Sequence, residues 1–209
     1  MARSVIKLAR IMSLSVIVYS RPMARWQPDA VGRLQQAAFA LYAERGYENT
    51  TVAEIAERAG LTRRTFFRYF ADKREVLFWG SRALEELFVT EVGAALEGAS
   101  PLEAVAAALD AVAESFEDRR ELAARRRQII AATPELQERE LIKLASLARA
   151  VAEALHRRGV GDPAAILTAE AAITVFRVAF DRWVDEGNRQ PFRRLVRESL
   201  DELRAIASS

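Results

Sequence analysis

Cysteine is absent from the 209 residues, and histidine occurs once, at His156. Without thiols there is no disulfide framework, no cysteine nucleophile and no thiolate-ligated zinc, a composition compatible with a reducing cytoplasm. One histidine cannot build a histidine metal cluster, and it has no evident nucleophile beside it. No Gly-rich phosphate loop follows a strand, no stretch sustains strand-type alternation, and neither internal repeats nor a low-complexity linker interrupt the chain. The expectation is a non-enzymatic protein without metal or cofactor. What is present is a hydrophobic content of 51%, enough for a sizeable core, and a net charge of only +2. With so small a net charge, the placement of the charges matters more than their sum.

Residues 1–25 stand apart. They carry Arg3, Lys7, Arg10, Arg21 and Arg25, no acid, and an apolar run from Ile11 to Tyr19. That run is far shorter than the ~20 residues a membrane-spanning helix needs and sits at the lower limit for a signal peptide, with Arg-Pro following. Three readings remain open: translation beginning at Met23, a basic arm, or an export signal. A peripheral membrane protein anchored by this segment is a rival function class.

Downstream, the chain is punctuated as a series of helices. Val31, Leu34, Ala38, Leu41 and Tyr42 recur at helical spacing, predicting a first helix over 29–45 that Gly46 stops. Thr51 with Glu54, Asp72 with Glu75, and Ser100-Pro101 with Glu103 read as capping boxes, in which a short oxygen-bearing side chain and a carboxylate satisfy the orphan amides of a helix start. Thr133-Pro134, Asp162-Pro163 and Pro191 repeat that signal for the later helices, and a helix of vague limits lies between Arg120 and Ala132. Nine helices and no strand are expected, an all-α fold.

The informative segment is 46–73. It predicts a short helix over 52–59, a tight turn at Gly60-Leu61 and a second short helix from about Arg63 to Phe70, a helix-turn-helix within about 52–71. On the second helix Phe66 and Phe70, four apart, face inward towards Val52, Ile55 and Ala59, while Arg63, Arg64, Phe67 and Arg68 face outward. Arginine can bind guanine O6 and N7 with two bonds, and an apolar ring can touch a thymine methyl. From Leu61 to Arg74 five cations stand against one acid, Asp72. Lys73 and the hydroxyls of Thr50, Thr51 and Tyr69 are candidates for phosphate, which positions a protein on DNA without choosing the sequence.

The run GYENTTVAEIAERAGLTRRTFFRYFADKREVLF resembles the N-terminal domain of TetR-family transcriptional regulators, densely and without a gap over residues 29–80. The resemblance implies a nine-helix fold in which residues 26–80 bind DNA and residues 81–209 bind ligand and dimerise. It implies phosphate contacts for Thr50, Thr51, Tyr69 and Lys73, and groove contacts for Arg63, Arg64, Thr65, Phe67 and Arg68. Phe67 departs from a frequent tyrosine and Tyr69 from a frequent histidine, so a phosphate hydrogen bond at Phe67 is lost. It further implies a cytoplasmic homodimer that binds a palindromic operator and is released by a small-molecule effector, though activation in place of repression would use the same face.

Beyond residue 80 the resemblance is one of fold. Family members enclose a ligand among their middle helices and dimerise through the last two. Here those two carry Ile166, Ala169, Ile173, Phe176, Val178, Phe180 and Trp183, then Phe192, Leu195, Val196, Leu200 and Leu203, residues that suit either a dimer seam or a monomer core. Trp79, Phe88, Phe116, Phe176 and Phe180 are candidates to line a ligand cavity or simply to form core, as is Trp183. Arg126, within Arg125-Arg126-Arg127, is a candidate for an anionic effector or a solvated helix face. The stretch RRRQIIAATPELQERELIKLASLA is similar to an actinobacterial, mycofactocin-regulator-like subgroup that includes sensors of acyl-coenzyme A thioesters. His156 reads as an exposed residue favoured near a helix C-terminus.

Overall fold

The computed structural model describes residues 29–208, so the readings of segment 1–25 lie outside the described residues. Among the described residues the structure is helical throughout, and it divides between Val76 and Leu77 into two compact units.

The first unit holds α1 (Ala30–Arg45), α2 (Val52–Arg58) and α3 (Arg63–Tyr69). The Asp29 carboxylate caps α1 by accepting the Gly32 N–H at 2.9 Å. The helix stops at Gly46, whose φ of 81° suits a residue without Cβ. Thr51 and Glu54 form the expected capping box at the start of α2, and Thr62 caps α3 through the Thr65 N–H. Leu34, Ala38 and Leu41 of α1, Ile55 and Ala56 of α2, and Phe66 and Phe70 are all buried. Arg45–Glu54 and Arg58–Glu44 pairs tie α1 to α2 at the surface, where such pairs add little stability.

A short α4 (Glu75–Phe78) spans the division between the units, its first turn capped by Asp72, whose Oδ1 accepts the Arg74 and Glu75 N–H groups at 2.8 and 3.2 Å. The second unit continues with α5 (Ser81–Ala94), α6 (Pro101–Phe116), α7 (Arg120–Ala131), α8 (Pro134–Arg157), α9 (Ala164–Val184) and α10 (Phe192–Ser208). A 3₁₀ turn at Glu117–Arg119 joins α6 to α7. Helix α5 packs on α6 and α8, α9 on α8 and α10, and α10 on α6, enclosing one core that runs from Phe88 through Leu109, Val151 and Ala172 to Leu195.

Three expectations change in detail. The nine helices become ten α-helices among the described residues, because the helix expected to run on from Glu75 is cut at Trp79-Gly80. There Gly80 sits at φ −75°, ψ −8°, close to the bridge region, and the helical hydrogen-bond ladder opens. Thr133 precedes α8 as expected, yet its buried hydroxyl makes no cap bond. Asp162 does not cap α9 either: Pro163 occupies the N-cap, and the Asp162 carboxylate lies 2.7 Å from His156 Nε2.

Polar ties between distant segments hold the second unit in register. Asp110 on α6 accepts from Arg197 at 2.8 Å and Arg193 at 3.3 Å, both on α10. Arg158 donates to the Ala95 and Leu96 carbonyls, and Arg120 to those of Asp185 and Asn188. Burial opposes ionisation of Asp110, but its bonds to Arg197 and Arg193 outweigh it and hold the carboxyl below the usual range. A depressed folded-state pKa contributes stability that is present above the ordinary carboxylate range and lost as pH falls through the folded value. Asp110→Asn is therefore expected to be less stable than the parent in urea unfolding at neutral pH. The difference should shrink as the medium is made acidic and vanish once the parental carboxyl is protonated.

Candidate nucleic-acid interface

The helix-turn-helix is built by two caps and one tight turn. The Thr51 box starts α2; Gly60, at φ 64°, and the Leu61 N–H bond to the Ala56 carbonyl at 2.8 Å end it; Thr62 then starts α3. With only seven residues, α3 is too short to be stable alone and depends on what it buries. Phe66 and Phe70 are that anchor, their ring centroids 5.3 Å apart and both side chains buried.

The opposite side of α3 presents Arg63, Arg64 and Arg68 to solvent, with Phe67 50% exposed among them. The Phe67 ring stands edge-on to Phe66 at 5.5 Å, so its placement is set by the buried anchor. The Arg68 guanidinium lies 4.7 Å from the Tyr69 ring centroid and donates to Tyr69 Oη at 2.8 Å, leaving that hydroxyl its own proton to donate. Thr65 is half-buried, its hydroxyl 3.0 Å from that of Thr62. Thr51 is exposed, and its hydroxyl is held by Glu54 Oε2 at 2.7 Å. The Thr51 hydroxyl and amide bonds draw the Glu54 carboxyl below its ordinary range, so the cap acceptor is charged.

Two expected phosphate groups point elsewhere. Thr50 is 1% exposed, and its hydroxyl donates to the Gly46 carbonyl at 2.9 Å. Lys73 Nζ donates to the carbonyls of Tyr47, Thr50 and Glu48 at 2.8, 3.1 and 3.3 Å and lies 4.1 Å from the Tyr47 ring centroid. From α1, Tyr42 Oη donates to the Lys73 carbonyl at 2.7 Å. Burial above all, with Tyr47 and Asp72 adding to it, pushes the Tyr42 pKa far up and keeps the phenol a donor. Arg74 is paired with Asp72 at 2.6 Å. Of the five cations between Leu61 and Arg74, the three on α3 are those presented outward. Neither Tyr42 nor Tyr47 was identified from sequence as part of this arrangement; the only signal was the Gly46-Tyr47 pair itself.

The ligand-lining candidates separate into two groups. Phe88, Phe116, Phe176 and Phe180 come together with Trp183 and Phe192 as one set of rings, for example Phe88–Phe176 at 6.1 Å, Phe116–Phe180 at 6.0 Å and Trp183–Phe192 at 4.9 Å. Phe192, which by sequence suited either a dimer seam or a monomer core, is wholly buried in this set, and Leu195, Val196 and Leu200 are buried with it in the chain's own core. Trp79 lies outside that core, 39% exposed. Arg126 is also elsewhere: it pairs with Glu140 at 2.9 Å, donates to the Leu77 carbonyl at 2.8 Å and lies 5.0 Å from the Phe78 ring centroid. Burial pulls its pKa down, opposed by Glu140. Arg127 is paired with Asp181 at 2.8 Å and Arg125 is exposed, so the three arginines do not share one environment. No described helix is long and apolar enough to cross a membrane.

Comparison with known proteins agrees with this geometry. The profile for bacterial regulatory proteins of the tetR family matches residues 34–78, and that for the MftR C-terminal domain matches residues 99–207, more than half of the chain. The HTH-type transcriptional regulator TcmR of Streptomyces glaucescens is 40% identical over 80 residues, 38% of this chain, and the match spans only 35% of TcmR's length. The putative mycofactocin biosynthesis transcriptional regulator MftR of Mycobacterium tuberculosis is 28% identical over 158 residues, 72% of this chain and 78% of MftR. Among solved structures, Thermus thermophilus FadR, a TetR-family transcriptional repressor in complex with lauroyl-CoA, aligns with a TM-score of 0.51 and 24% identity, covering 83% of this chain and 92% of that one. With an arginine-bearing helix-turn-helix at one end and a family-specific helical domain at the other, the chain belongs to the TetR family of bacterial DNA-binding transcriptional regulators.

Proposed function

We propose that the protein is an effector-responsive repressor that binds a palindromic operator as a homodimer in the cytoplasm. Residues 26–80 serve as the DNA-binding domain and residues 81–209 as the ligand-binding and dimerisation domain. The observation that carries the reading is the outward face of α3, where three arginines and a half-exposed phenylalanine are held by a buried aromatic anchor. In this reading Arg63, Arg64 and Arg68 read guanine edges in the major groove, Phe67 contacts a thymine methyl, Thr65 lies at the groove, Tyr69 contacts phosphate, and Thr51, whose hydroxyl and N–H both go to Glu54, faces DNA as the cap of α2. A homodimer would set two copies of α3 about 34 Å apart, one turn of duplex.

Support for the dimer comes from α9. Leu167, Thr174 and Val178 are exposed at i, i+7 and i+11, one stripe of a helix whose opposite side is core. The effector is proposed to enter the second unit by parting the rings around Phe176, and an acyl-coenzyme A thioester is the class to try first. The FadR structure, a TetR-family repressor in complex with lauroyl-CoA, supports that choice. An effector shifts the DNA-binding equilibrium only by its differential affinity for the two conformers.

The decisive experiment is recovery of genomic fragments by the purified protein, sequenced and then titrated individually. A few palindromic sites are expected, and Arg63→Ala with Arg64→Ala should cost about 1–3 kcal/mol per lost contact on them while sparing scrambled DNA. Equal weakening on all sequences would remove the base-reading assignment. In sedimentation velocity, Leu167→Glu with Val178→Glu should give a folded monomer that no longer holds the palindrome; an unchanged dimer would move the seam elsewhere. Lauroyl-coenzyme A is expected to release the protein from its operator where coenzyme A alone does not, and binding without release would rule it out as the inducer class.

A further inference from the structure

The positive charge at Lys73 sits within reach of the DNA-binding face by sequence, yet its ammonium is fully engaged by the protein's own backbone. It has three hydrogens, and three backbone carbonyls receive them, those of Tyr47, Thr50 and Glu48 at 2.8, 3.1 and 3.3 Å. The Tyr47 ring, 4.1 Å away, covers a further side. All three carbonyls belong to the loop that joins α1 to α2. They converge on one point, an arrangement in which oxygen dipoles repel each other unless a cation sits among them.

The backbone of the same residue is tied as well. Tyr42, near the end of α1, donates its hydroxyl to the Lys73 carbonyl, and the Tyr42 and Tyr47 rings pack at 5.3 Å. Thr50, the last loop residue before the α2 cap, is locked by its own bond to Gly46. One residue therefore joins three places: the end of α1, the loop entering α2, and the chain leaving α3. The α2–α3 pair hangs between the second and the third.

We propose that Lys73 is a positioning residue and not a phosphate ligand: by clamping the carbonyls of Tyr47, Glu48 and Thr50 it fixes the frame in which Thr51 and the outer face of α3 meet DNA. The inference rests on the DNA-binding reading above. It separates from a phosphate role because a cation that neutralises a phosphate releases counterions, whereas a cation that stays on the protein's own carbonyls when DNA binds releases none. Removing a phosphate-binding cation lowers the slope of log affinity against log salt by about 0.9, and removing a clamp leaves that slope alone.

The test uses the full-length protein on a recovered operator, with binding measured across a salt series at a temperature where circular dichroism shows each variant folded. Lys73→Met is expected to weaken operator binding by about tenfold, the scale of one disturbed base contact, with the salt slope of the parent. Tyr47→Leu, which keeps the charge and removes the ring, should weaken binding in the same sense without changing the slope, and it serves where Lys73→Met does not fold. In ¹⁵N spectra of the parent, the Lys73 ammonium should be protected from exchange before DNA is added and unshifted afterwards. A slope lowered by about one unit, a rapidly exchanging ammonium in the free protein, or full affinity in folded Lys73→Met would each overturn the proposal. A parent protein that recovers no site would overturn the DNA-binding reading, while a parent that binds alongside a changed slope overturns the clamp alone.

Discussion

The burial of Phe66 and Phe70 is the interaction on which the DNA-binding face depends. A seven-residue helix has too few internal hydrogen bonds to offset the cost of its own nucleation, so α3 exists because one of its sides is sealed into the core of α1 and α2. The same burial decides what the other side shows. Helical geometry places Arg63, Arg64, Phe67 and Arg68 outward once Phe66 and Phe70 point in, and the edge-on contact of Phe67 with Phe66 carries the order of the core to the surface.

Cations serve two distinct purposes in this protein. On α3 they are exposed, which suits groups that must exchange water and counterions for DNA. Elsewhere they hold segments together. Lys73 gathers loop carbonyls, Arg158 and Arg120 do the same for connections in the second unit, and Arg126 binds both a carboxylate and a carbonyl. Arginine and lysine suit that work because each offers several donors and no acceptor, so a single side chain can satisfy backbone oxygens that no helix or strand pairs. A modest net charge thus conceals a large number of cations with internal duties.

In the second unit the core is aromatic around Phe176. The rings of Phe88, Phe116, Phe176, Phe180, Trp183 and Phe192 lie mostly edge to face, an arrangement that fills space well and can be re-sorted by rotation of side chains. Charge is kept out of this set: Asp110 with its two arginines, and Arg126 with Glu140, lie between helices around it. A guest in that position would meet apolar surface first and charged groups only at the periphery.

Much of this was legible in the residues themselves. Capping boxes at Thr51 and Ser100, the stop at Gly46 and the four-residue spacing of Phe66 and Phe70 are local signals, since they depend on hydrogen bonds and periodicity within one turn or two, and the helices they imply are present. The break at Gly80 was not legible, because a glycine inside a helical pattern is tolerated as often as it interrupts. Nor was the inward role of Lys73, the commitment of Arg126 to Glu140 and Leu77, or the choice of core over seam for Phe192. Each of these depends on partners between 9 and 76 positions away, or on which of two apolar sides a neighbouring helix happens to cover. The sequence by itself determined the helices, the caps at Thr51 and Ser100 and the residues on the outward face of α3, because those follow from short-range geometry. The tertiary structure alone decided which charges remain available to a partner, because a long cationic side chain goes wherever the fold gathers unpaired oxygens.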